Sequence, residues 1–410
     1  LTLAERGLAA LRSVDLADRA VGLSMPLAGR MIHDGAGGLQ FHPYGRRGGD
    51  VIRSISRTGL TAMLVDRAEA TGRVRFEFGA RLVDVDLDRR ILSFEGRAGA
   101  TSQVGFEVLF GADGSNSVVR QALVGLGGTK MDRRPLDHGY KELRMPALAG
   151  GHRLDPGVLH LWPRRWFLLV AFSNPDGSFT MSLFLANGGS RDSFEQLERA
   201  DSIGSFFESN FPDAAALIPD LVDQFKANPV GRLETVRTSG WSLDDRVCLV
   251  GDAAHTIVPF YGQGMNMALE SVVDLARRLR SRPGDRQAVF AEFEQEREPD
   301  ANAIAELALD NYRRLRTAVL EADHLRQLRM ARELERRYPD HFASEYNMVT
   351  FTTMPYAAAR ARARAQRDVL AKVTDAAVGI NGIDIAEAGR LLAELGPLPA
   401  PRGESVLAKG

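Results

Sequence analysis

The sequence predicts a mixed α/β protein, α+β overall, with an α/β part, an antiparallel-sheet part and a helical C-terminal region. Three observations carry this. First, the apolar run Val247-Cys248-Leu249-Val250 enters Gly251-Asp252 and then a stretch with Met267, Leu269, Val272, Val273, Leu275 and Leu279 at helical spacing. That is the pattern of a buried parallel strand followed by an amphipathic helix. Second, Val158–Leu161, Trp166–Phe172 and Phe179–Leu185 are short aromatic or β-branched runs, the last two separated by Asn174-Pro175-Asp176-Gly177. Such runs with such a turn read as adjacent antiparallel strands. Third, from about Gln287 onward the pattern is helical and rich in Arg and Glu, over Phe290–Leu315, Ala322–Arg337 and Tyr356–Val373.

The other elements follow in order. Leu3–Leu11 and Thr61–Glu69 are helical in pattern, Val74–Leu87 reads as strands with partial alternation, and Val104–Phe110 as a short strand entering Gly111-Ala112-Asp113-Gly114. The organisation expected is an α/β part over 1–135 that resumes over 241–285, an antiparallel sheet over 136–240, helices over 286–395 and a flexible tail over 396–410, rich in Pro and Gly. The arginines between Arg360 and Arg367 read as a solvated helix face, the alternative being a membrane or partner surface.

Composition narrows the function. A net charge of −1 over 410 residues gives no electrostatic case for nucleic acid or a membrane surface. The single cysteine, Cys248, rules out an internal disulfide and any multi-cysteine zinc or iron–sulfur site, which fits a cytoplasmic protein. No apolar run reaches the ~18 residues of a membrane-spanning helix. The opening Leu1-Thr2-Leu3-Ala4-Glu5-Arg6-Gly7 has no signal-peptide pattern and no initiator Met, so Leu1 is expected not to be the natural start. Oligomeric state is not legible.

The strongest chemical signal is Leu249-Val250-Gly251-Asp252-Ala253-Ala254-His255, followed by Pro259 and by Gly262-Gln263-Gly264-Met265-Asn266. A strand that ends in a carboxylate places Asp252 at the sheet edge where open α/β sheets bind nucleotides. There it accepts hydrogen bonds from ribose or ribityl hydroxyls. The glycines let backbone N–H groups approach a ligand, and the following helix aims its positive end at it. A second signal, Gly111-Ala112-Asp113-Gly114-Ser115-Asn116-Ser117 with Arg120, reads as a turn ordered by Asp113 into a helix capped by Ser117. A third is Ser54-Ile55-Ser56-Arg57-Thr58-Gly59-Leu60.

In this order the three segments resemble the flavoprotein aromatic hydroxylases. The resemblance implies a Rossmann-like FAD domain, a sheet domain for the substrate, and FAD contacts from Arg57, Leu82, Asp113, Gly114, Gly251, Asp252, Pro259, Gly262, Gly264, Met265 and Asn266. NADPH is the implied co-substrate. That family opens with a strand and Gly-x-Gly-x-x-Gly. No such loop stands here, since Gly125-Leu126-Gly127-Gly128 has the wrong spacing. The expectation is a chain lacking about one βαβ unit at its front, and with it the pyrophosphate half of the FAD site.

Further segments narrow the branch. Gly29-Arg30-Met31-Ile32-His33, Pro43-Tyr44-Gly45-Arg46, His138-Gly139-Tyr140-Lys141-Glu142-Leu143, Asp310-Asn311-Tyr312 and Tyr346-Asn347-Met348-Val349-Thr350-Phe351 with Pro355-Tyr356 are similar, over almost the whole chain, to the kynurenine-hydroxylating branch. This implies L-kynurenine and O2 as substrates. It implies Arg30 and Tyr44 on the carboxylate, Asn311 and Tyr346 completing the amino-acid clamp, and Val170, Phe172, Phe184 and Phe260 walling the ring pocket. Arg suits a carboxylate because its planar fork binds bidentately. Simple core packing is the other reading of the four apolar residues. Tyr261 leaves ring hydrogen bonding open, and His255 is expected to order its loop rather than act as a base. Two alternatives remain: a hydroxylase of another aromatic acid or phenol, and a non-catalytic remnant that binds kynurenine or a partner without FAD.

Overall fold

The computed structural model describes residues 1–45, 49–189, 192–200, 202–317, 322–373 and 385–402. Its backbone is a seven-stranded sheet in the order Gly231–Ser239, Lys130–Met145, Phe179–Ala186, Phe167–Ser173, Leu159–Arg164, Gly29–His33, Leu39–Pro43. Neighbours are antiparallel except Leu159–Arg164 and Gly29–His33, which run parallel with Leu159 opposite Arg30. The sheet expected over 136–240 is therefore completed by two strands from the first fifty residues and by Gly231–Ser239, none of which the hydropathy pattern marked.

Both faces of this sheet are covered, which is why its strands read as nearly continuous apolar runs. On Phe167–Ser173 the alternation decides the faces. Phe167, Leu169 and Ala171 pack into a core with Phe206, Phe207, Phe211 and Phe225. Those phenylalanines come from helices Ile203–Asn210 and Leu221–Ala227 and the turn between them. Leu168 and Val170 join the main core on the opposite face. The helices between Phe194 and Ala227 were not expected, because each is too short to show a clear period.

Three smaller sheets complete the α/β part. Val247–Leu249 pairs parallel with Leu109–Gly111, so the predicted buried strand is present and wholly buried. Thr2–Leu3, Ile52–Ile55 and Ser24–Leu27 form a second, and Arg81–Asp86, Ile91–Glu95 and Thr101–Gly105 a third. Two strand expectations are corrected. Val74–Gly79 is not a strand: Phe76 and Phe78 stack on each other at 5.7 Å, with Phe78 exposed and no strand pairing with them among the described residues. The run Val104–Phe110 splits between two strands in different sheets.

Of the C-terminal helices Arg286–Thr317, Ala322–Arg337, Glu345–Thr350, Tyr356–Val373 and Ile385–Glu394, the first packs on the Gly264–Ser281 helix and on the seven-stranded sheet, and Tyr356–Val373 packs on the first and on Glu345–Thr350 and Ile385–Glu394. Arg362 departs from the expected solvated face. It is buried, and its guanidinium donates to Leu395 O at 2.8 Å and to the carbonyls of His341 and Gly396. The tail is also fixed further than expected: Leu398 N–H donates to Asp340 O and Arg402 N–H to Thr353 O. The rest of that tail, 403–410, lies outside the described residues.

Candidate active site

A single cleft of 1070 Å³ runs between the seven-stranded sheet and the α/β part. At one end the Val247–Leu249 strand delivers Gly251 and Asp252 into it. Gly251 has φ 59 and Gly262 φ 66, left-handed values that other residues adopt only under strain. The Asp252 carboxylate accepts no hydrogen bond among the described residues, and burial holds its pKa above the ordinary value, partly offset by Arg57 across the cleft. The Gly264–Ser281 helix starts here. Its N-cap, Gln263, makes no side-chain cap, because its Oε1 accepts from the Tyr356 hydroxyl at 2.9 Å. The first N–H groups of an 18-residue helix are thus left open toward a ligand. An unpartnered carboxylate facing uncapped amides suits a group with hydroxyl donors and acceptor atoms, which is the polar pattern of FAD.

Arg120 ties the two turns together. It is fully buried and donates to Ala253 O at 2.8 Å and to Ser115 O. His255 is buried, with neither ring nitrogen hydrogen-bonded among the described residues, and burial pushes its pKa down to about 3. It is neutral and packs on Trp241 at 5.6 Å, so it supports the loop by contact rather than by hydrogen bonds.

At the other end the Gly29–His33 strand presents Arg30. Its Nε donates to the Tyr44 hydroxyl at 3.2 Å, and its guanidinium lies 4.6 Å from the Tyr346 ring and 5.4 Å from the Tyr44 ring. Tyr44 and Tyr346 stack at 5.4 Å, and Tyr261 stacks on Tyr346 at 5.7 Å. Arg30 makes no ion pair among the described residues. Burial opposes its charge, yet the hydroxyls of Tyr44 and Tyr346 raise its pKa, so it stays a cation without a counterion. Burial raises the pKa of Tyr44 and Tyr261 as well, keeping both neutral. Between the two ends, Val170, Phe172, Phe184 and Phe260 line the cleft, with Phe184 4.8 Å from Phe260.

Residues 220–308 match the family model described as an FAD binding domain. The chain is 38% identical over 394 residues to kynurenine 3-monooxygenase of Myxococcus xanthus, covering 96% of this chain and 84% of that one. It is 40% identical to the enzyme of that name from Xanthomonas campestris, over 94% of this chain and 84% of the relative. The chain belongs to the kynurenine 3-monooxygenase family. Solved structures agree on the fold. Klebsiella pneumoniae HpxO complexed with FAD and uric acid superposes with TM-score 0.58 at 19% identity, over 82% of this chain and 84% of that one. A 2-methyl-3-hydroxypyridine-5-carboxylic acid oxygenase gives 0.57 at 21%, over 80% and 85%.

Against what family membership led us to expect, the cleft gathers Arg57, Gly114, Gly251, Asp252, Pro259, Gly262, Gly264 and Met265 with Arg30, Tyr44, Val170, Phe172, Phe184, Phe260 and Tyr346. Four expected residues stand outside it. Leu82 sits in the Arg81–Asp86 strand opposite Phe94. The Asp113 carboxylate accepts from Val118 N–H at 2.7 Å and Val119 N–H at 3.2 Å, so it caps a helix instead of facing the cleft. Asn311 is turned away from any amino-acid clamp and donates to Phe260 O at 2.7 Å, supporting the ring wall from behind. Asn266 is spent on the chain itself: it accepts from Ala4 N–H at 2.9 Å and donates to Thr2 O at 2.9 Å and Gly262 O at 2.8 Å.

Losing those three bonds should cost on the order of 2 kcal/mol. Asn266→Ala is therefore expected to unfold at lower urea concentration with an unchanged slope, and an unaltered midpoint would show the contacts to be dispensable. Sequence reading placed Tyr140 and Glu142 within a resembling segment but gave them no role; both line the cleft. Alternation along Lys130–Met145 was the missed signal: Tyr140 and Glu142 share one face, while Lys141 on the other is buried against Glu198 and Phe225 O.

Proposed function

We propose that this chain is a flavin-dependent monooxygenase that converts L-kynurenine to 3-hydroxykynurenine with NADPH and O2, in the cytoplasm. The observation that carries the reading is Arg30, a cation with no ion pair among the described residues, flanked by Tyr44 and Tyr346 in the same cleft as Asp252. A cation without a counterion calls for an anionic ligand head, and the aromatic wall between it and the cofactor end calls for a flat apolar body. Among the described residues no helix is long and apolar enough to cross a membrane.

The residues divide the work. Arg30 takes the carboxylate, and the Tyr44 hydroxyl, already accepting from Nε, fixes the plane of the guanidinium. Phe184 and Phe260 hold the ring, while Val170 and Phe172 close the wall against water. Asp252 would hold the hydroxyls of bound FAD, and the uncapped start of the Gly264–Ser281 helix would favour negative charge on the group seated there. Bound FAD supplies the redox chemistry, accepting a hydride from NADPH and activating O2. No side chain in the cleft is required as an acid or base. What the protein contributes is orientation and dryness.

The test is NADPH oxidation by FAD-loaded protein. Kynurenine should accelerate it and yield the hydroxylated product; salicylate, which lacks the amino-acid head, should not. Acceleration by salicylate alone would assign the chain to another aromatic acid, and protein that takes up no flavin would remove the reading altogether.

A further inference from the structure

Behind the substrate cleft, on the opposite face of the sheet, a chain of hydrogen bonds runs through two buried histidines. His33 Nδ1 lies 2.7 Å from Asp213 Oδ2, His33 Nε2 lies 2.9 Å from His160 Nδ1, and His160 Nε2 lies 2.9 Å from Asp155 O. Trp162 Nε1–H donates to the same Asp213 oxygen at 2.8 Å, and its ring stacks on His33 at 4.0 Å. His33 is 5% exposed and His160 3%.

Proton counting decides the charge. Both ends of the chain are acceptors: a backbone carbonyl at Asp155, and at Asp213 a carboxylate that also accepts from an indole. Three hydrogen bonds between two acceptor ends need three N–H groups, whereas two neutral imidazoles carry only two. His160 must donate from Nε2 and, as the neutral member, accept at Nδ1, so His33 must donate from both nitrogens. Burial that pushes His160 down to about 4, and the His33 and Trp162 hydrogen bonds that hold the half-exposed Asp213 down at about 2, agree with this assignment. The charged and titratable groups facing the pair are few. They are Asp213 from the Pro212–Ala215 helix, Asp155 before the Leu159–Arg164 strand, Arg164 at that strand's end (donating to His33 O at 3.0 Å), and Asp34 beside it.

The placement matters because Arg30 and His33 share one strand. That strand pairs with its inner neighbour at only Arg30, Met31 and Ile32, and its other neighbour is the sheet's edge. We propose that His33 and His160 hold one shared extra proton, neutralised by Asp213, and that this imidazolium tie is a positioning device that fixes the Arg30 strand to the helical layer behind it. The sign follows. The tie is complete at lower pH, and losing the proton as pH rises breaks one of its three bonds, so the Arg30 strand loosens toward alkaline pH. The consequence for kynurenine rests on the substrate reading above; the protonation state does not.

Three measurements on the FAD-loaded protein test this. Nitrogen-15 NMR of histidine-labelled protein at about pH 7 should show one doubly protonated ring bonded to one singly protonated ring; two singly protonated rings would overturn the proposal whether or not kynurenine binds. His33→Phe should raise KM for kynurenine about threefold to tenfold with kcat within about twofold. An equal loss in kcat, or no change in KM, would deny the positioning role. Asp213→Asn is the sharpest arm. Its amide can donate to a neutral His33, so the three histidine bonds persist without the extra proton, while the Trp162 indole, which shares that oxygen in the parent, loses its acceptor at every pH. As pH is raised, the parent should lose melting temperature and kynurenine affinity, while Asp213→Asn should stay flat in both. An equal slope in the variant would overturn the proposal. Failure of kynurenine to bind the parent at all would instead defeat the substrate reading and leave the NMR and melting results to decide this one.

Discussion

Replacing Arg30 by Ala is expected to weaken kynurenine binding by ~1.5–3 kcal/mol, about 10- to 150-fold, by removing a charge-assisted pair from a half-buried site. The geometry sharpens the expectation. The guanidinium is held on one side by the Tyr44 hydroxyl at 3.2 Å and faced by the Tyr346 ring at 4.6 Å, so its orientation is set before any ligand arrives. Arg30→Lys should recover only part of the loss, because a point charge on a flexible stem offers no planar fork and no face to stack on Tyr346. Tyr44→Phe should fall between the parent and Arg30→Ala. FAD affinity should be unchanged in all three, since Arg30 is engaged by Tyr44 and Tyr346 while the charge facing Asp252 is that of Arg57. Spectral titration with kynurenine gives both affinities; wild-type binding in Arg30→Ala would detach the substrate from this end.

Asp252→Ala is expected to cost ~1.5–3 kcal/mol of FAD binding, leaving protein that loses its yellow colour on gel filtration at dilute concentration. The carboxylate is placed by a fully buried strand and finds no partner among the described residues, so cofactor hydroxyls are its expected donors. The pH dependence has a definite sign. Burial raises the Asp252 pKa in the cofactor-free protein. The folded chain therefore holds that proton more tightly than the unfolded chain. Asp252 contributes stability at low pH, and the contribution is lost as pH rises through the folded value. Hydroxyl donors reverse this by favouring the anion. FAD affinity should accordingly increase as pH rises through the Asp252 titration, and Asp252→Asn should flatten the profile. Flavin retention in Asp252→Ala equal to the parent would remove this residue from the site.

The two ends of the cleft were not equally legible. Asp252, Gly262 and Gly264 are close in sequence because one strand–turn–helix unit builds that end, and a local motif exposes a local unit. The substrate end draws Arg30 and Tyr44, Val170 and Phe184, and Tyr346 from three widely separated regions of the chain, so only resemblance along the whole chain could assemble it. Resemblance also named residues whose side chains make structural bonds: Asn311 and Asn266 donate from their amide groups to the backbone carbonyls of Phe260 and Gly262.

By itself the sequence determined the elements whose signal is periodic or punctuated: the buried strand before Asp252, the helix after Gln263, the hairpin at Asn174–Gly177 and the long Arg286–Thr317 helix. Its closely spaced glycines and carboxylate also marked a nucleotide-type site, which resemblance to the flavoprotein aromatic hydroxylases narrowed to FAD. Only the tertiary structure decided which face each strand residue takes, that Gly29–His33 joins the sheet parallel to a strand more than a hundred residues away, and that Arg362 is buried against backbone carbonyls. The reason is physical. Helical period and turn chemistry are set by neighbours in the chain, whereas register, burial of a lone cation and closure of a cleft depend on surfaces that meet only after folding.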